Sequence, residues 1–339
     1  MTLINLNNQT AYSNGDICVN LLKLFHLPFL VIAIACWTSA HAWPTKPVRI
    51  IVPSSAGAAP DTMIRMIAAR MAVDLKQQVL IENKVGAGGI PAKQAFELAK
   101  DDHTFLLTLT STTTIAPLVL KAAANFNYLR DTQPVMTIGQ TPFMIVANPA
   151  SGAKSLEDLI RMARSKPGQI AFATPPLSSS AQLSVTVLSH LTGLEFNVVP
   201  FSRSTESLTA VSSGDAAFFV DTVSVVMPFV RGQRVRPISV LSSHKLPGLE
   251  AYPLANETVP GFEVSAGFGL VAPKEMERSA VDAMYQAVLK AVSDPELMGK
   301  LQDMAIFAQP AGPDAYRSQL LKDAEFWTKV VRSAKIVPQ

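Results

Sequence analysis

From Val48 onward the chain alternates short apolar runs with longer amphipathic stretches, the pattern of strands joined by helices. Val48–Val52 is apolar apart from Arg49 and predicts a buried strand. Over residues 61–75, Met63, Ile67, Met71 and Leu75 recur at helical spacing and predict a helix. Residues 79–81 predict a strand, 90–100 a helix and 104–109 a strand ending in the run Thr110-Ser-Thr-Thr-Thr114. Residues 135–138 and 143–147 predict two more strands.

The same alternation then begins again. Ser155 with Asp158 three residues on reads as a capping box opening a helix to about residue 165, which Pro167-Gly168 stops. Strands are predicted at 170–173, 196–200, 216–220 and 235–241. Helices fall between them at 180–191, 204–212 (ended by Gly214) and up to about Arg231. A strand at 268–272 precedes a helical tail over 279–335, interrupted at Asp294-Pro295 and at 310–313. The periodicity therefore predicts an α/β fold with a mostly parallel sheet in two blocks. After the second block the chain has one strand and several helices, too little sheet to stand alone. Its economical place is back on the first block, giving lobes of 43–142 plus 266–339 and of 143–265. Two strands would then cross between lobes, and a cleft between lobes suits a small ligand.

The first 42 residues break this pattern. Lys23 precedes an apolar segment from Leu27 to Trp37, and Ala40-His-Ala42 is an A-x-A cleavage signal before Trp43, so 1–42 read as a signal peptide. The polar residues ahead of Lys23 are unusual for a leader and place the expected start of translation near Leu21 or Leu22. A rival reading takes Ala33-Ile-Ala-Cys36 as a lipobox that anchors the protein through Cys36. Both cysteines, Cys18 and Cys36, lie in the leader, so the expected exported protein has no thiol and no disulfide. No later apolar run is long enough for a membrane helix, and a soluble exported protein is expected.

Composition narrows the function. Of the 339 residues 48% are apolar and 16% charged, and 29 basic against 26 acidic residues leave a net charge of +3 with no basic run. Nucleic acid is not an expected partner. His103, His190 and His244 are far apart with no metal-ligand spacing and read as surface or packing residues. Neither a G-x-S-x-G elbow nor a P-loop occurs. Gly86-Ala-Gly-Gly89 sits between a strand and a helix, but Pro91 replaces the third glycine of a dinucleotide fingerprint; a tight turn needing positive φ is the simpler reading.

The small-residue loop Pro53-Ser-Ser-Ala-Gly-Ala-Ala-Pro-Asp61 feeds a helix N-terminus, a setting for a carboxylate or phosphate. Hydroxyl clusters recur at equivalent places: Ser54-Ser55, the run 110–114, Ser178, Ser179 and Ser180, and Ser202 with Ser204. Each falls at the carboxyl end of a predicted strand, where open α/β sheets bind ligands. Hydroxyls and backbone N–H groups there can solvate a carboxylate without a counter-charge. A single such residue is more often a helix cap, the expectation for Asp61. Arg203 is the best cationic candidate, and Asp221 either caps a helix or faces the cleft as an acceptor. An enzyme using Asp61 or Asp221 as general base is the rival, disfavoured by the lack of a clustered acid/base pair.

From Trp43 to about Val337 the chain resembles the solute-binding proteins of tripartite tricarboxylate transporters, the Bug family. The resemblance lies in Trp43-Pro-Thr-Lys-Pro-Val-Arg-Ile-Ile-Val-Pro53 with Asp61, Ile81-Glu-Asn83 with Gly86-Ala-Gly-Gly89, Val199-Pro-Phe201, and Gly267-Phe-Gly-Leu-Val-Ala-Pro273. It implies a two-lobed periplasmic binding fold, type II-like, with two Rossmann-like lobes joined by crossover strands and closing on a small carboxylated solute. It further implies a monomer that serves membrane transporter subunits, with no catalysis and no cofactor. By position, the ligand-binding residues it implies are Ser54, Ser55, Ala56, Gly57 and Asp61; Thr110, Ser111 and Thr112; Ser178, Ser179 and Ser180; Phe201, Ser202, Arg203 and Ser204; Asp221 and Thr222; Gly267 and Phe268. Two departures stand out. Relatives usually carry three glycines where this chain has Gly57-Ala-Ala-Pro60, and Pro175-Pro176 removes two N–H donors from the loop before Ser178.

Overall fold

The computed structural model describes residues 43–175 and 179–338. The expected leader with Cys36, together with Pro176 and Ser178, lies outside the described residues. The chain divides between Thr45 and Lys46. Of the first unit the described part is 43–45, including a cis Trp43–Pro44 bond.

The second unit carries ten described strands: β1 (Val48–Val52), β2 (Val79–Asn83), β3 (Thr104–Leu109), β4 (Thr132–Ala147), β5 (Ala171–Thr174), β6 (Asn197–Pro200), β7 (Phe218–Thr222), β8 (Arg236–Val240), β9 (Ser265–Pro273) and β10 (Phe307–Ala311). Among the described residues nine longer helices connect and cover them: α1 (Ala59–Leu75), α2 (Ile90–Leu98), α3 (Leu156–Ser165), α4 (Ser180–Thr192), α5 (Ser204–Ser213), α6 (Val223–Arg231), α7 (Arg278–Val292), α8 (Pro295–Asp303) and α9 (Pro313–Ser333). The strands run in the order β2-β1-β3-β9-β4-β7-β5-β6, with β8 and β10 also paired to β4.

Strand β4 organises the unit. Its first part, Thr132 to Pro142, pairs with β9, and Phe143 to Ala147 pair with β7 and β8. Every one of these pairings is antiparallel, as is β3 with β9, whereas β1 with β2 and β3, and β5 with β6 and β7, are parallel. The expected mostly parallel sheet is thus mixed, because the strands carrying the chain between blocks oppose their neighbours. The two strands expected at 135–138 and 143–147 are one strand of 16 residues. Register shifts between Pro134 and Met136 and between Thr137 and Gly139 interrupt its pairing with β9 without ending the strand.

The expected helical tail also contains a strand, β10, antiparallel to β4. Gly139 explains how it docks: a Cβ there would stand 2.3 Å from the Phe307 carbonyl oxygen. Nothing within Phe-Ala-Gln-Pro-Ala alternates strongly enough to signal a strand alone.

Burial follows the two-residue period of β4. Phe143, Ile145 and Ala147 join one apolar cluster with Phe172, Phe218 and Leu183, while Met144 and Val146 join another with Phe219 and Val240. The part of the sheet formed by β4, β5 and β7 is therefore apolar on both faces, and each fully buried Phe contributes about 1.5–3 kcal/mol. A further cluster of Ile51, Leu106, Val271 and Phe96 packs at the part formed by β1, β3 and β9. With its faces sealed, the sheet leaves the strand ends as open ground for polar chemistry.

Candidate functional site

At the carboxyl ends of β1, β3, β5 and β7 lies a cavity of about 350 Å³, at the small end of the usual 300–1,000 Å³ for ligand sites. Helix beginnings surround it. Ser179 caps α4, its hydroxyl accepting the Gln182 N–H at 3.1 Å, and Ser180 is the first helical residue. Ser204 opens α5, Thr222 precedes α6, and Gly89 precedes α2. Ser111 and Thr112 start a π-helical turn, Ser111–Ile115, that follows β3. Helix N-termini bring unpaired N–H groups and positive dipole ends together, which favours an anion. Leu109, Phe143 and Ala266 also line it, and among the described residues no lysine or arginine does.

The cavity brings together Ser111, Thr112, Ser179, Ser180, Ser204, Asp221 and Thr222 of the residues singled out in sequence. Several others sit elsewhere. Thr110 accepts the Gly267 N–H at 2.9 Å, and both line, with Phe268, a separate cavity of about 800 Å³ under α9. Phe201 is packed with an apolar cluster, and Ser202 and Arg203 are exposed. The hydroxyls of Thr113 and Thr114 bond back to the Leu109 and Thr110 carbonyls, as Thr112 does to Leu109, so part of that run is spent locally.

The loop 53–61 holds itself closed. Ala58, not Asp61, is the N-cap of α1. The buried Asp61 carboxylate instead accepts Gly57 N–H and Asn83 Nδ2 at 2.8 Å and Arg65 Nε at 3.0 Å. Burial acts to raise its pKa, but these hydrogen bonds win and hold it below the usual carboxylate range. The Ala58 N–H is taken by Ser55, and Asn83 also holds the Ser54 carbonyl. The anion at this helix start is the protein's own. Ser55 and Ala56 are exposed, and Gly57 lines a third cavity beside α6.

Sequence reasoning passed over one segment. Gly86, Ala87, Gly88 and Gly89 all line the cavity. Their φ values of 109°, 45°, 63° and 90° match the tight turn expected from sequence. At Gly89 a Cβ would come within 2.8 Å of Thr112 Cγ2, so the absent side chain lets the turn seat against the threonine. The signal was present in the glycines; their position facing β5 and β7 comes only from tertiary packing.

Asp221 is the most unusual group. It is buried, its Oδ1 accepts the Thr222 N–H at 2.6 Å, and its Oδ2 has no hydrogen-bond partner although Ser204 is a neighbour. Burial pushes its pKa up to about 6, with Ser204 and Thr222 pulling partly the other way. Ser54 Oγ and Thr174 Oγ1, at the ends of β1 and β5, are also buried without partners. Thr141, Gln182 and Ser239 each carry such an oxygen too, and of these residues Asp221 is the one that lines the cavity, where an orphaned buried oxygen costs about 1–3 kcal/mol.

Strands delivering their ends to one cavity, ringed by helix N-termini, form a ligand site of the kind found in periplasmic binding proteins. The chain belongs to the tripartite tricarboxylate transporter family of receptors, whose description, "Tripartite tricarboxylate transporter family receptor", matches residues 63–327. Protein BugT of Bordetella pertussis is 28% identical over 319 residues, covering 93% of this chain and 98% of BugT. Among solved structures, an R. palustris protein with adipate is similar at a TM-score of 0.78 and 25% identity, covering 88% of this chain and 100% of that one. MatC from Rhodopseudomonas palustris with bound malate is similar at 0.73 and 26%, covering 85% and 100%. Among the described residues no helix is long and apolar enough to cross a membrane, and no group of side chains could hold a metal ion.

Proposed function

We propose that this chain is a periplasmic receptor that captures a small organic carboxylate in the 350 Å³ cavity and delivers it to a tripartite tricarboxylate-type transporter. The observation that carries this is the convergence of the starts of α4, α5 and α6 on a cavity with no cationic side chain among its described lining residues. Family membership and the adipate- and malate-bound neighbours support the same ligand class. Ser111, Thr112, Ser179, Ser180, Ser204, Asp221 and Thr222 are the proposed contacts, with backbone from 86–89.

Lobes of 43–142 plus 266–339 and of 143–265 would close about β4 and β9, ligand binding favouring the closed state. Residues 1–42 would act as the export signal. No chemistry on the solute is proposed: Asp221 has no second acid or base beside it in the cavity. A role in signalling rather than import would show as a knockout that still takes up the solute but loses its transcriptional response.

Thermal melts against mono-, di- and tricarboxylates, aromatic acids, and neutral and cationic solutes test the ligand class. A carboxylate at about a hundred times its Kd adds roughly 2.7 kcal/mol of stability. Stabilisation by neutral or cationic solutes and by no carboxylate would overturn the proposal.

A further inference from the structure

The proposed carboxylate site leaves one feature unused. A carboxylate needs donors, which the helix starts provide, yet the cavity also presents an acceptor, Asp221 Oδ2, that no donor reaches at full hydrogen-bond geometry, although the Ser204 and Thr222 hydroxyls are near enough to lower the group's pKa. Asp221 is 6% exposed, and its Oδ2 is fully buried and unpartnered. It stands among Ser179, Ser180, Ser204 and Thr222 on the cavity wall.

Among the described residues no other charged side chain lines the cavity beside it. Strands β4 and β5 and helices α4, α5 and α6 pack against β7. Their titratable residues are His190 near the far end of α4, Glu206 in the first turn of α5 and Arg231 in the last turn of α6. None of these lines the cavity, nor does the exposed Arg203. A buried carboxylate oxygen without a donor is costly, and a donor brought by a ligand removes that cost.

Resting on the carboxylate reading above, we infer that Asp221 selects the solute: Oδ2 accepts a hydrogen bond from a hydroxyl or ammonium group carried beside the solute's carboxylate. The ligand class is then α-hydroxy- or α-amino-carboxylates, not plain carboxylates. A solute lacking the donor leaves Oδ2 desolvated and unpaired, the strongest form of discrimination a polar site offers. The carboxylate end lies against the helix starts and the donor end against Asp221, which fixes the orientation of the solute.

Calorimetric titration with matched trios tests this: propionate, lactate and alanine; succinate, malate and aspartate; glutarate, 2-hydroxyglutarate and glutamate; phenylacetate, mandelate and phenylglycine. At pH 7.5 the hydroxy or amino member of at least one trio binds tenfold or more tighter than its plain counterpart. In Asp221→Asn that ratio falls severalfold. A second readout needs no variant. A ligand that donates to ionised Asp221 loses affinity on acidification, roughly fourfold between pH 7.5 and 5.5 for a group titrating near 6.

Plain acids binding as tightly as their substituted partners, with the ratio unchanged in Asp221→Asn, would overturn the inference alone. So would tighter binding of plain acids at pH 5.5, the mark of a protonated Asp221 donating to the solute's carboxylate. Silence from every trio beside binding of a neutral solute would instead overturn the carboxylate reading, and this inference with it.

Discussion

The Asn83 side-chain amide donates to the Asp61 carboxylate at 2.8 Å, joining the end of β2 to the first turn of α1. The same amide nitrogen donates to the Ser54 carbonyl at 2.9 Å, and Asn83 Oδ1 accepts from Arg65. One asparagine thus sets the loop at the end of β1. Asn83→Ala leaves the buried Asp61 short of a donor and should cost about 1–3 kcal/mol in urea unfolding. Arg65→Ala should cost less, because the arginine is about half exposed. The pH dependence has a definite sign. With a depressed folded pKa, Asp61 contributes stability above its unfolded value near 3.9 that is lost as pH falls through the folded value. Asn83→Ala should move that acid loss to higher pH.

Ser179 and Ser204 should behave differently although both face the cavity. Ser179 caps α4, so Ser179→Ala should lower stability by about 1 kcal/mol and Ser179→Gly by only a few tenths. Ser204 caps nothing, since Arg203 is the N-cap of α5. Ser204→Ala should leave the unliganded melt within about 0.5 kcal/mol of the parent while weakening carboxylate binding. Melts with and without ligand separate the two.

Gly89→Ala and Gly86→Ala both place a side chain at positive φ, a cost of about 1–3 kcal/mol. Only at Gly89 does the new Cβ also meet Thr112; at Gly86 nothing lies within 4 Å. Gly89→Ala should therefore reduce affinity and stability together, and Gly86→Ala chiefly stability. Equal affinity losses in the two would remove Thr112 from the site.

Asp221 is predicted to weaken the empty protein. Its folded pKa of about 6 lies above the unfolded value, so its contribution is most favourable below about pH 4. Stability then declines as pH rises from about 4 to 6 and levels off above that. Asp221→Asn should stabilise the unliganded protein at pH 7 by up to about 3 kcal/mol and flatten this decline. A destabilised variant would mean that Oδ2 has a partner in solution. Stability given up at a binding residue is the usual exchange for function.

Much of this was legible in the sequence, for identifiable reasons. Apolar runs such as Phe218-Phe-Val and strongly patterned helices such as α3 carry their periods openly, and hydroxyls at strand ends placed Ser111, Ser179, Ser180 and Ser204 near the cavity. Asp61 misled because an acid at a helix start resembles a cap, while its true partners, Asn83 and Arg65, lie 22 residues away and one turn on. Strand β10 stayed hidden because its register is set by Gly139 on another strand. The glycines at 86–89 were recognised as a turn, but a turn facing a cavity looks the same in sequence as one facing solvent.

A crystal structure of the protein with the carboxylate that most raises its melting temperature bears most directly on the central claim. The ligand's carboxylate should lie among Ser111, Ser180 and Ser204, at the starts of α4 and α5, with Asp221 beside it. Ligand found instead in the 800 Å³ cavity under α9, beside Gln319 and Asp323, would contradict it.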